Sequence, residues 1–342
     1  MSVRLKDVAA HAGVSIKTVS NVVNDYPFVS AELRARVQAS LDELDYRPNV
    51  TARSLRTGRT GMIGLAVPRL HDPYFAEIAD HVVRAAGRRG WTVLVEQTGG
   101  DRDREIAVLA GLRPSFVDGV IFSPLALDTS ALDHAIRQLP LVLIGEHLEA
   151  SGRPRVTVDN VAAAREVVLH LAAMGRRRVA AIGTKPGQHA ATAELRLAGY
   201  RAGLAAAGLR RRPSYEADVA HFQRSDGRDA ARRLLRHRPR PDAIFCFNDL
   251  LALGTLRALH EDGVRVPEDV AVVGFDDITE SSFCIPTLSS VAPDKEELAG
   301  HALTLLAGLM DLSPDGAPAA SEFVAHRLMV RETSTQVTAA VR

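Results

Sequence analysis

The chain has 342 residues, a formal net charge of +1 and an ordinary globular composition, with 46% hydrophobic and 24% charged residues. This length is enough for two or three hydrophobic cores. No apolar run approaches the roughly 18 residues of a membrane helix, and the polar N-terminus lacks the apolar region of a signal peptide, so we expect a cytoplasmic protein. Cys246 and Cys284 are too few for a disulfide framework and are expected to be reduced thiols.

Positive charge is concentrated in the first 60 residues, which contain nine Lys or Arg and six Asp or Glu. This modest excess suits the neutralisation of DNA phosphates without establishing it. The sequence contains no phosphate loop, no G-x-S-x-G nucleophile elbow and no C-x-x-C or H-E-x-x-H metal spacing. It therefore predicts neither an enzyme nor a catalytic, metal or cofactor site.

The first segment has the pattern of a helix-turn-helix. A short helix over Lys6–His11 precedes Gly13, which suits the left-handed turn between crossing helices, and Ser15 is placed to cap a second helix at Ile16–Asn24. Short exposed side chains at the start of such a helix suit the DNA major groove. An ordinary helical hairpin with a solvated face is the alternative. The outward-facing residues are Ile16, Lys17, Ser20 and Asn21.

A third helix and a short basic helix follow. Ser30 is placed to cap a helix over Ala31–Leu44 that completes a three-helix core, and Pro48 can then open a helix over Asn49–Arg56. Two turns of helix are too short to be stable alone in water. We therefore expect this hinge helix to fold on DNA, with Leu55 as an apolar wedge in the minor groove. A frayed linker is the alternative.

From Met62 onward, short apolar runs alternate with amphipathic helices. This alternation predicts parallel sheets covered on both faces, and its two rounds predict two similar lobes. Ligands bind at the carboxyl ends of strands in such sheets, so the pattern places a ligand between the lobes, although it also fits many enzymes. The expected strands are Met62–Val67, Thr92–Glu96, Gly119–Phe122, Leu141–Ile144, Val156–Val158, Val179–Gly183, Ala243–Phe247 and Val270–Phe275.

The motif L-K-D-V-A-x-x-A-G-V-S-x-x-T-V-S-x-V-V-N, followed by V-S and by Y-R-P-N-x-x-A-R-S-L, resembles the LacI/GalR family of bacterial repressors. The resemblance implies a homodimer that places two recognition helices in successive major grooves of a palindromic operator. It implies that Ile16, Lys17 and Asn21 read bases, while Thr18 and Ser20 lie nearer the phosphates. The implied DNA-binding residues are Ser15, Ile16, Lys17, Thr18, Ser20, Asn21, Asn49, Ala52, Arg53 and Leu55.

The resemblance also implies an α/β body of the periplasmic-binding-protein type behind an all-α head. We expect a DNA-binding domain at 1–47, a hinge helix and linker at 48–60, a ligand-binding and dimerisation domain at 61–333 and a tail at 334–342. The N-lobe is expected at about 61–158 and 289–320, and the C-lobe at about 159–288 and 321–333. No leucine heptad follows the last strand, so a dimer is expected rather than a tetramer.

Polar and aromatic side chains after the strands are candidates for an effector site. In addition, Arg196 matches the pocket arginine of the family, and Phe222 matches the aromatic residue that covers the ligand. Asp249 is instead expected to be the N-cap of the helix after its strand. The candidate effector-binding residues are Asp72, Tyr74, Phe75, Arg196, Phe222, Asn248 and Asp276.

Guanidinium, amide and carboxylate groups beside aromatic rings suit a ligand rich in hydroxyl groups. The predicted effector is therefore a sugar or sugar derivative that releases the regulator from DNA. A purine or other small-molecule co-repressor is the alternative, because purine-responsive relatives share the arginine and the aspartate. A secreted solute-binding protein is less favoured, because it would need a signal peptide and would lack the head.

Overall fold

The computed structural model describes residues 3–23, 26–46, 59–136, 139–148, 151–185, 191–311 and 321–335. The chain forms two compact units, Met1–Thr60, here called the head, and Gly61–Arg342, here called the body. The predicted hinge helix, with Asn49, Ala52, Arg53 and Leu55, lies outside the described residues. No helix in the described ranges is long and apolar enough to cross a membrane.

The described part of the head contains three helices around a small apolar core. They are α1 (Leu5–Ala12), α2 (Ile16–Val23) and α3 (Ala31–Glu43). Gly13 has φ +64°, the left-handed conformation that the turn between α1 and α2 requires. Val8, Val19 and Val37 are fully buried where the three helices meet. The predicted helix-turn-helix and third helix are confirmed.

The first lobe of the body, which corresponds to the expected N-lobe, is built on a parallel sheet with the strand order β11-β5-β4-β3-β1-β2. Its strands are β1 (Met62–Val67), β2 (Thr92–Gln97), β3 (Val120–Phe122), β4 (Leu141–Ile144), β5 (Arg155–Val158) and β11 (Ser321–Val324). Its helices are α4 (Pro73–Arg88), α5 (Arg102–Gly111), α6 (Thr129–Ala135) and α11 (Lys295–Asp311). The apolar residues of β1, such as Ile63 and Leu65, are fully buried, as expected for a strand in a sheet that is covered on both faces.

The second lobe has a sheet with the order β12-β10-β9-β8-β6-β7. Its strands are β6 (Val179–Thr184), β7 (Glu216–Asp218), β8 (Ala243–Cys246), β9 (Ala271–Phe275), β10 (Ser289–Pro293) and β12 (His326–Met329). Its α-helices are α7 (Asn160–Ala173), α8 (Ala191–Ala206), α9 (Arg224–Leu235) and α10 (Asp249–Glu261). The sequence β7-β6-β8-β9-β10 repeats the order of β2-β1-β3-β4-β5 in the first lobe, so the two lobes are topological repeats.

Two short strands lie in lobes other than those expected from the sequence. We expected 289–320 in the N-lobe and 321–333 in the C-lobe, but β10 pairs with β9 in the second sheet and β11 pairs with β5 in the first. The chain therefore crosses between lobes after β10 and again at Ala325. In addition, β12 is antiparallel to β10, which departs from the expected all-parallel sheets. Strands of four or five residues carry little information on which sheet they join, because that depends on long-range pairing.

Close helix packing in the second lobe depends on two glycines. A Cβ atom on Gly227 of α9 would lie 2.1 Å from the carbonyl oxygen of Leu251, and one on Gly254 of α10 would lie 1.9 Å from that of Arg224. Both distances are shorter than any tolerated contact, so the backbones of α9 and α10 approach each other through these glycines. This packing fixes the N-terminal ends of both helices beside the cleft described below.

Candidate functional site

The N-terminus of α2 is capped by Ser15. Its hydroxyl oxygen accepts the N–H of Thr18 at 3.1 Å, and the two hydroxyl oxygens of Ser15 and Thr18 are 2.9 Å apart. This is the predicted cap, and it satisfies one of the donors that a helix start leaves unpaired. Both hydroxyls therefore help to hold the first turn of α2.

One face of α2 is buried and the other is open. Val19 and Val22 face the core of the head, while the side chain of Ile16 is 53% exposed and Lys17 is exposed. Ile16 and Lys17, two of the three predicted base readers, thus share an accessible surface at the start of the helix, as a recognition helix requires. The half-buried residues beside them are Thr18, Ser20 and Asn21.

The sequence reasoning did not single out two exposed aromatic residues in the loop after α2. Tyr26 is 48% exposed and Phe28 is 85% exposed, and their rings meet edge to face with centroids 5.6 Å apart. The N–H of Tyr26 donates to the carbonyl oxygen of Asn21 at 2.9 Å, which ties this loop to the end of α2. A tyrosine and a phenylalanine on either side of a proline, directly after the second helix, were the available signal.

The body contains a cleft of about 390 Å³ whose walls come from the carboxyl ends of strands in both sheets. The strand-end rule for open α/β sheets predicts this location. The structure brings together all seven residues named as effector-binding candidates. They are Asp72, Tyr74, Phe75, Arg196, Phe222, Asn248 and Asp276.

Asp72 and the aromatic pair after it form the first-lobe wall. Asp72 is the N-cap of α4, and its Oδ1 accepts the N–H of Tyr74 at 3.2 Å. Burial raises the pKa of the Asp72 carboxyl. Burial also raises the pKa of the Tyr74 hydroxyl, and the nearby carboxylates of Asp276 and Glu146 raise it further. The Tyr74 hydroxyl therefore stays protonated and can donate a hydrogen bond, while the Phe75 ring packs edge to face against it at 5.2 Å.

Arg196 is held rigidly in the second-lobe wall. Its Nε donates to Asn160 Oδ1 at 2.7 Å, one of its Nη atoms donates to the Phe247 carbonyl oxygen, and its guanidinium lies over the Phe275 ring at 3.4 Å from the centroid. Its other Nη atom is 3.7 Å from Asp276 Oδ1. Three fixed contacts orient the planar group, so its remaining donors point in a defined direction.

Asp276 places a buried carboxyl beside this guanidinium. Burial raises its pKa well above the ordinary value for an aspartate, and the charge of Arg196 opposes that shift. The pair can offer both donors and an acceptor to a ligand hydroxyl inside a site largely shielded from water. Charge-assisted hydrogen bonds of this kind are stronger than those between neutral groups.

Asn248, and not Asp249, is the N-cap of α10. Asn248 Oδ1 accepts the N–H of Leu251 at 2.9 Å, while its Nδ2 donates to the carbonyl oxygen of Phe222 at 3.2 Å. The expectation that Asp249 would cap the helix is therefore wrong, because the strand β8 ends one residue earlier than expected and the cap position moves with it. Asn248 also ties the loop of Phe222 to the cleft.

Glu146 is a cleft residue that the sequence reasoning missed. Its carboxylate accepts hydrogen bonds from Thr157 Oγ1 at 2.8 Å, Asn160 Nδ2 at 2.6 Å and the hydroxyl of Thr192. Because Asn160 also accepts from Arg196, the contacts form a chain from the end of β4 in the first lobe to α8 in the second. Glu146 lies two residues after the strand 141–144, so the strand-end rule used for Asp72 could have found it.

Comparisons with known proteins match both units. The family of "Bacterial regulatory proteins, lacI family" matches residues 4–49, and the "Periplasmic binding protein-like domain" matches residues 168–334. The Ribose operon repressor of Escherichia coli (strain K12) is 36% identical over 307 residues, which cover 88% of this chain and 91% of that protein. The chain belongs to the LacI family of bacterial regulatory proteins.

Solved structures agree along nearly the whole chain. The lac repressor dimer bound to operator and the anti-inducer ONPF superposes with a TM-score of 0.83 at 28% identity, over 98% of this chain and 99% of that one. The complex of the transcriptional regulator CelR with cellobiose has a TM-score of 0.70 at 32% identity, over 97% and 99% of the two chains. This LacI-family chain is therefore a DNA-binding transcription regulator with a periplasmic-binding-protein-like body, as the sequence analysis predicted.

Proposed function

We propose that this LacI-family regulator is a ligand-responsive repressor that binds a palindromic operator as a homodimer in the cytoplasm and has no enzymatic activity. One observation carries the ligand-responsive part. Seven residues chosen from the sequence for ligand recognition converge on a single cleft between the lobes. A cleft whose polar groups are already oriented can bind a small molecule without first having to order its side chains.

On the DNA side, we propose that α2 reads the major groove through Ile16, Lys17 and Asn21. Thr18 and Ser20 then lie nearer the phosphates, and Ser15 completes the DNA-binding surface at the N-terminus of α2. In the hinge segment, Asn49, Ala52 and Arg53 contact the minor groove, and Leu55 unstacks the central base step. The exposure of Ile16 and Lys17 on the open face of α2 supports the first assignment.

For the effector, we propose a polyhydroxylated molecule, a sugar or sugar derivative. Arg196 and Asp276 offer charged donors and an acceptor, and the rings of Tyr74, Phe75 and Phe222 suit the apolar face of a sugar ring. The relative solved with cellobiose and the relative named for the ribose operon support this class. A purine is the competing effector, because an arginine and an aspartate can also pair with a nucleobase edge.

We propose that effector binding releases the operator. Glu77 of the first lobe accepts the N–H of Thr279 of the second lobe at 2.8 Å, and Lys295 of the first lobe donates to the carbonyl oxygen of Asp277 of the second lobe at 3.0 Å, so these contacts depend on the relative arrangement of the lobes. An effector changes DNA affinity only through different affinities for the two arrangements of the lobes. Release requires tighter effector binding by the arrangement that fits the operator poorly.

Two experiments test this function. Selection from random oligonucleotides should yield a palindromic motif for the wild type, and Lys17→Ala or Asn21→Ala should relax base preference by about 1–3 kcal/mol at one base pair per half-site. Arg36→Ala, which removes an exposed charge from α3, should change no base preference. Failure to obtain a symmetric motif would contradict the operator assignment.

Thermal denaturation with D-ribose, cellobiose and hypoxanthine tests the effector class, because a ligand that binds only the folded state raises the melting temperature. A shift with a sugar supports the proposal. A shift with hypoxanthine alone identifies the purine alternative and contradicts the sugar assignment.

A further inference from the structure

Asp249 is a fully buried carboxylate that does not line the cleft. It is the first residue of α10, yet it does not cap that helix. Its Oδ1 accepts the hydroxyl of Ser290 at 2.6 Å, and its Oδ2 accepts the N–H of Ile278 at 2.9 Å and the hydroxyl of Ser281 at 2.7 Å. Three donors from two other segments therefore converge on one side chain.

These donors surround the turn formed by Asp276 and Asp277, which follows β9. Ile278 is the next residue after the turn, and the Ser290 hydroxyl oxygen accepts the N–H of Asp277 at 3.1 Å. On the other side of the turn, a Cβ atom on Gly274 would lie 2.0 Å from Asp249 Oδ1. The Asp249 carboxylate thus lies against Gly274 before the turn and accepts hydrogen bonds from Ile278 and Ser281 after it. Through Ser290 it also supports the N–H of Asp277 within the turn.

The turn has a conformation that needs such support. Asp276 has φ +106° and Asp277 has φ +44°, values that are unfavourable for residues with a side chain. Backbone of this kind persists where surrounding contacts hold it, and it is concentrated at functional sites. The turn also receives support from Arg331, which donates to the Asp277 carboxylate at 2.6 Å, and from Lys295, which donates to the Asp277 carbonyl oxygen at 3.0 Å.

The result of the strained turn is the placement of Asp276 in the cleft, 3.7 Å from Arg196. Burying a carboxylate costs free energy even when donors surround it, and burial raises the pKa of Asp249 to about 7. A buried apolar side chain would avoid this cost but could not accept from Ile278, Ser281 and Ser290. The hydrogen bonds around the turn thus connect the buried carboxylate of Asp249 to the carboxyl group of Asp276 in the cleft.

We propose that Asp249 is a positioning residue that holds Asp276 in its effector-binding conformation. This inference rests on the proposed function of the cleft, and it concerns a residue that would not touch the effector. It assigns the shape of the Asp276–Asp277 turn to three hydrogen bonds on Asp249.

The test variant is Asp249→Asn, which keeps the shape of the side chain but replaces one acceptor oxygen with an NH₂ group. Either Ser290 or the pair of Ile278 and Ser281 then loses its acceptor. The matched control is Asp242→Asn, because Asp242 also accepts a backbone N–H, that of Arg178 at 2.8 Å, next to the other end of β8. Ser290→Ala is a second variant, which removes the contact to the Asp277 N–H and leaves Asp249 in place.

Hydrogen exchange in the ligand-free, full-length protein measures the turn directly. We expect exchange at the amides of residues 277–281 to be at least about tenfold faster in Asp249→Asn and Ser290→Ala than in the wild type. Asp242→Asn should leave these amides unchanged. Wild-type exchange at these amides in Asp249→Asn and Ser290→Ala would overturn the positioning role, whatever the cleft binds.

Calorimetric titration with D-ribose and cellobiose measures the consequence for binding. Asp249→Asn should weaken the binding of the responding sugar by at least about tenfold. When Asp276→Ala is already present, adding Asp249→Asn should not weaken sugar binding further, because the effects of two substitutions that act on the same interaction are not additive. Wild-type affinity in Asp249→Asn, with loss in Asp276→Ala, would overturn the positioning role. Wild-type affinity in Asp276→Ala would instead contradict the proposed function.

Discussion

At the scale of single residues, the cleft depends on side chains that are engaged before any ligand arrives. Arg196 donates hydrogen bonds to Asn160 Oδ1 and to the Phe247 carbonyl oxygen, and it also faces Asp276. Asn248 caps α10 and holds the loop of Phe222 at once. Because each group has a structural partner, its orientation toward the cleft is fixed in advance, which lowers the entropic cost of binding.

Arg196→Lys is expected to damage both binding and stability. Lysine keeps the charge but cannot reproduce the planar set of donors, so the buried oxygens of Asn160 and Phe247 lose a partner. We expect the free energy of unfolding to fall by about 1–3 kcal/mol and the binding of the responding sugar to weaken by at least about tenfold. Urea denaturation and calorimetric titration measure the two effects.

The matched control is Arg201→Lys on the same helix, since Arg201 is exposed and paired with Glu216 at 2.5 Å. Its unfolding free energy should change by less than about 1 kcal/mol, because the Arg201 side chain is exposed and Glu216 keeps a second ion pair, with Arg211 at 2.6 Å. Equal effects of the two substitutions would show that Arg196 has no special role.

At the scale of elements, the sequence predicted most of the scaffold. The runs 62–67 and 141–144 match β1 and β4 to the residue, because buried parallel strands are continuous apolar segments with clear ends. The strand-end rule then found Asp72 and Asn248, since it depends on local order alone.

The failures at this scale arise from contacts between distant parts of the chain. The lobe of β10 and β11 depends on which sheet edge accepts a short strand. The role of Asp249 depends on donors that lie 29, 32 and 41 residues further along the chain. Glu146 was missed although its position obeys the strand-end rule, because no motif drew attention to it.

Gly254→Ala is expected to separate α9 from α10. The added methyl group would lie 1.9 Å from the carbonyl oxygen of Arg224, and backbone must shift to make room. We expect the free energy of unfolding to fall by about 1–3 kcal/mol, a typical cost of overpacking. Thermal and urea denaturation measure the loss.

Gly300→Ala in α11 is the control, because no atom outside the adjoining backbone of its own helix lies within 4 Å of its Cβ position among the described residues. Alanine is a better helix former than glycine, so this substitution should stabilise the protein by about 0.5–1 kcal/mol. A neutral Gly254→Ala would contradict the close approach of the two helices.

Leu55→Ala tests the hinge helix, which the sequence predicts outside the described residues. A wedge that unstacks a base step is stabilising only where the central step deforms easily. The substitution should therefore weaken binding to the selected operator far more than binding to random DNA, as measured by fluorescence anisotropy at fixed salt. Equal losses on the two DNAs would refute the wedge.

At the scale of the whole molecule, the proposed palindromic operator has two half-sites and therefore requires two heads, so the proposed function includes assembly. The body exposes two apolar side chains in one loop of the second lobe, Phe283 at 79% and Ile285 at 96%. Large apolar side chains that are exposed two residues apart in one loop are candidates for a protein interface.

We expect the double substitution Phe283→Ser with Ile285→Ser to weaken the homodimer, because burial of the two side chains would no longer favour association. Sedimentation at micromolar concentration should show a dimer for the wild type and a larger monomer fraction for the variant. Phe116→Ser, at an aromatic that is 57% exposed in the first lobe, is the control. A monomeric or tetrameric wild type would contradict the dimer.

The coupling of cleft to operator is tested most directly by titrating operator complexes of the wild type and Asp276→Ala with the sugar that binds the wild type. Asp276 lies in the cleft of the body, and so its loss should leave operator affinity unchanged. We predict that the sugar dissociates the wild-type complex and leaves the Asp276→Ala complex intact. Dissociation of both complexes at the same sugar concentration, or of neither, would contradict the account.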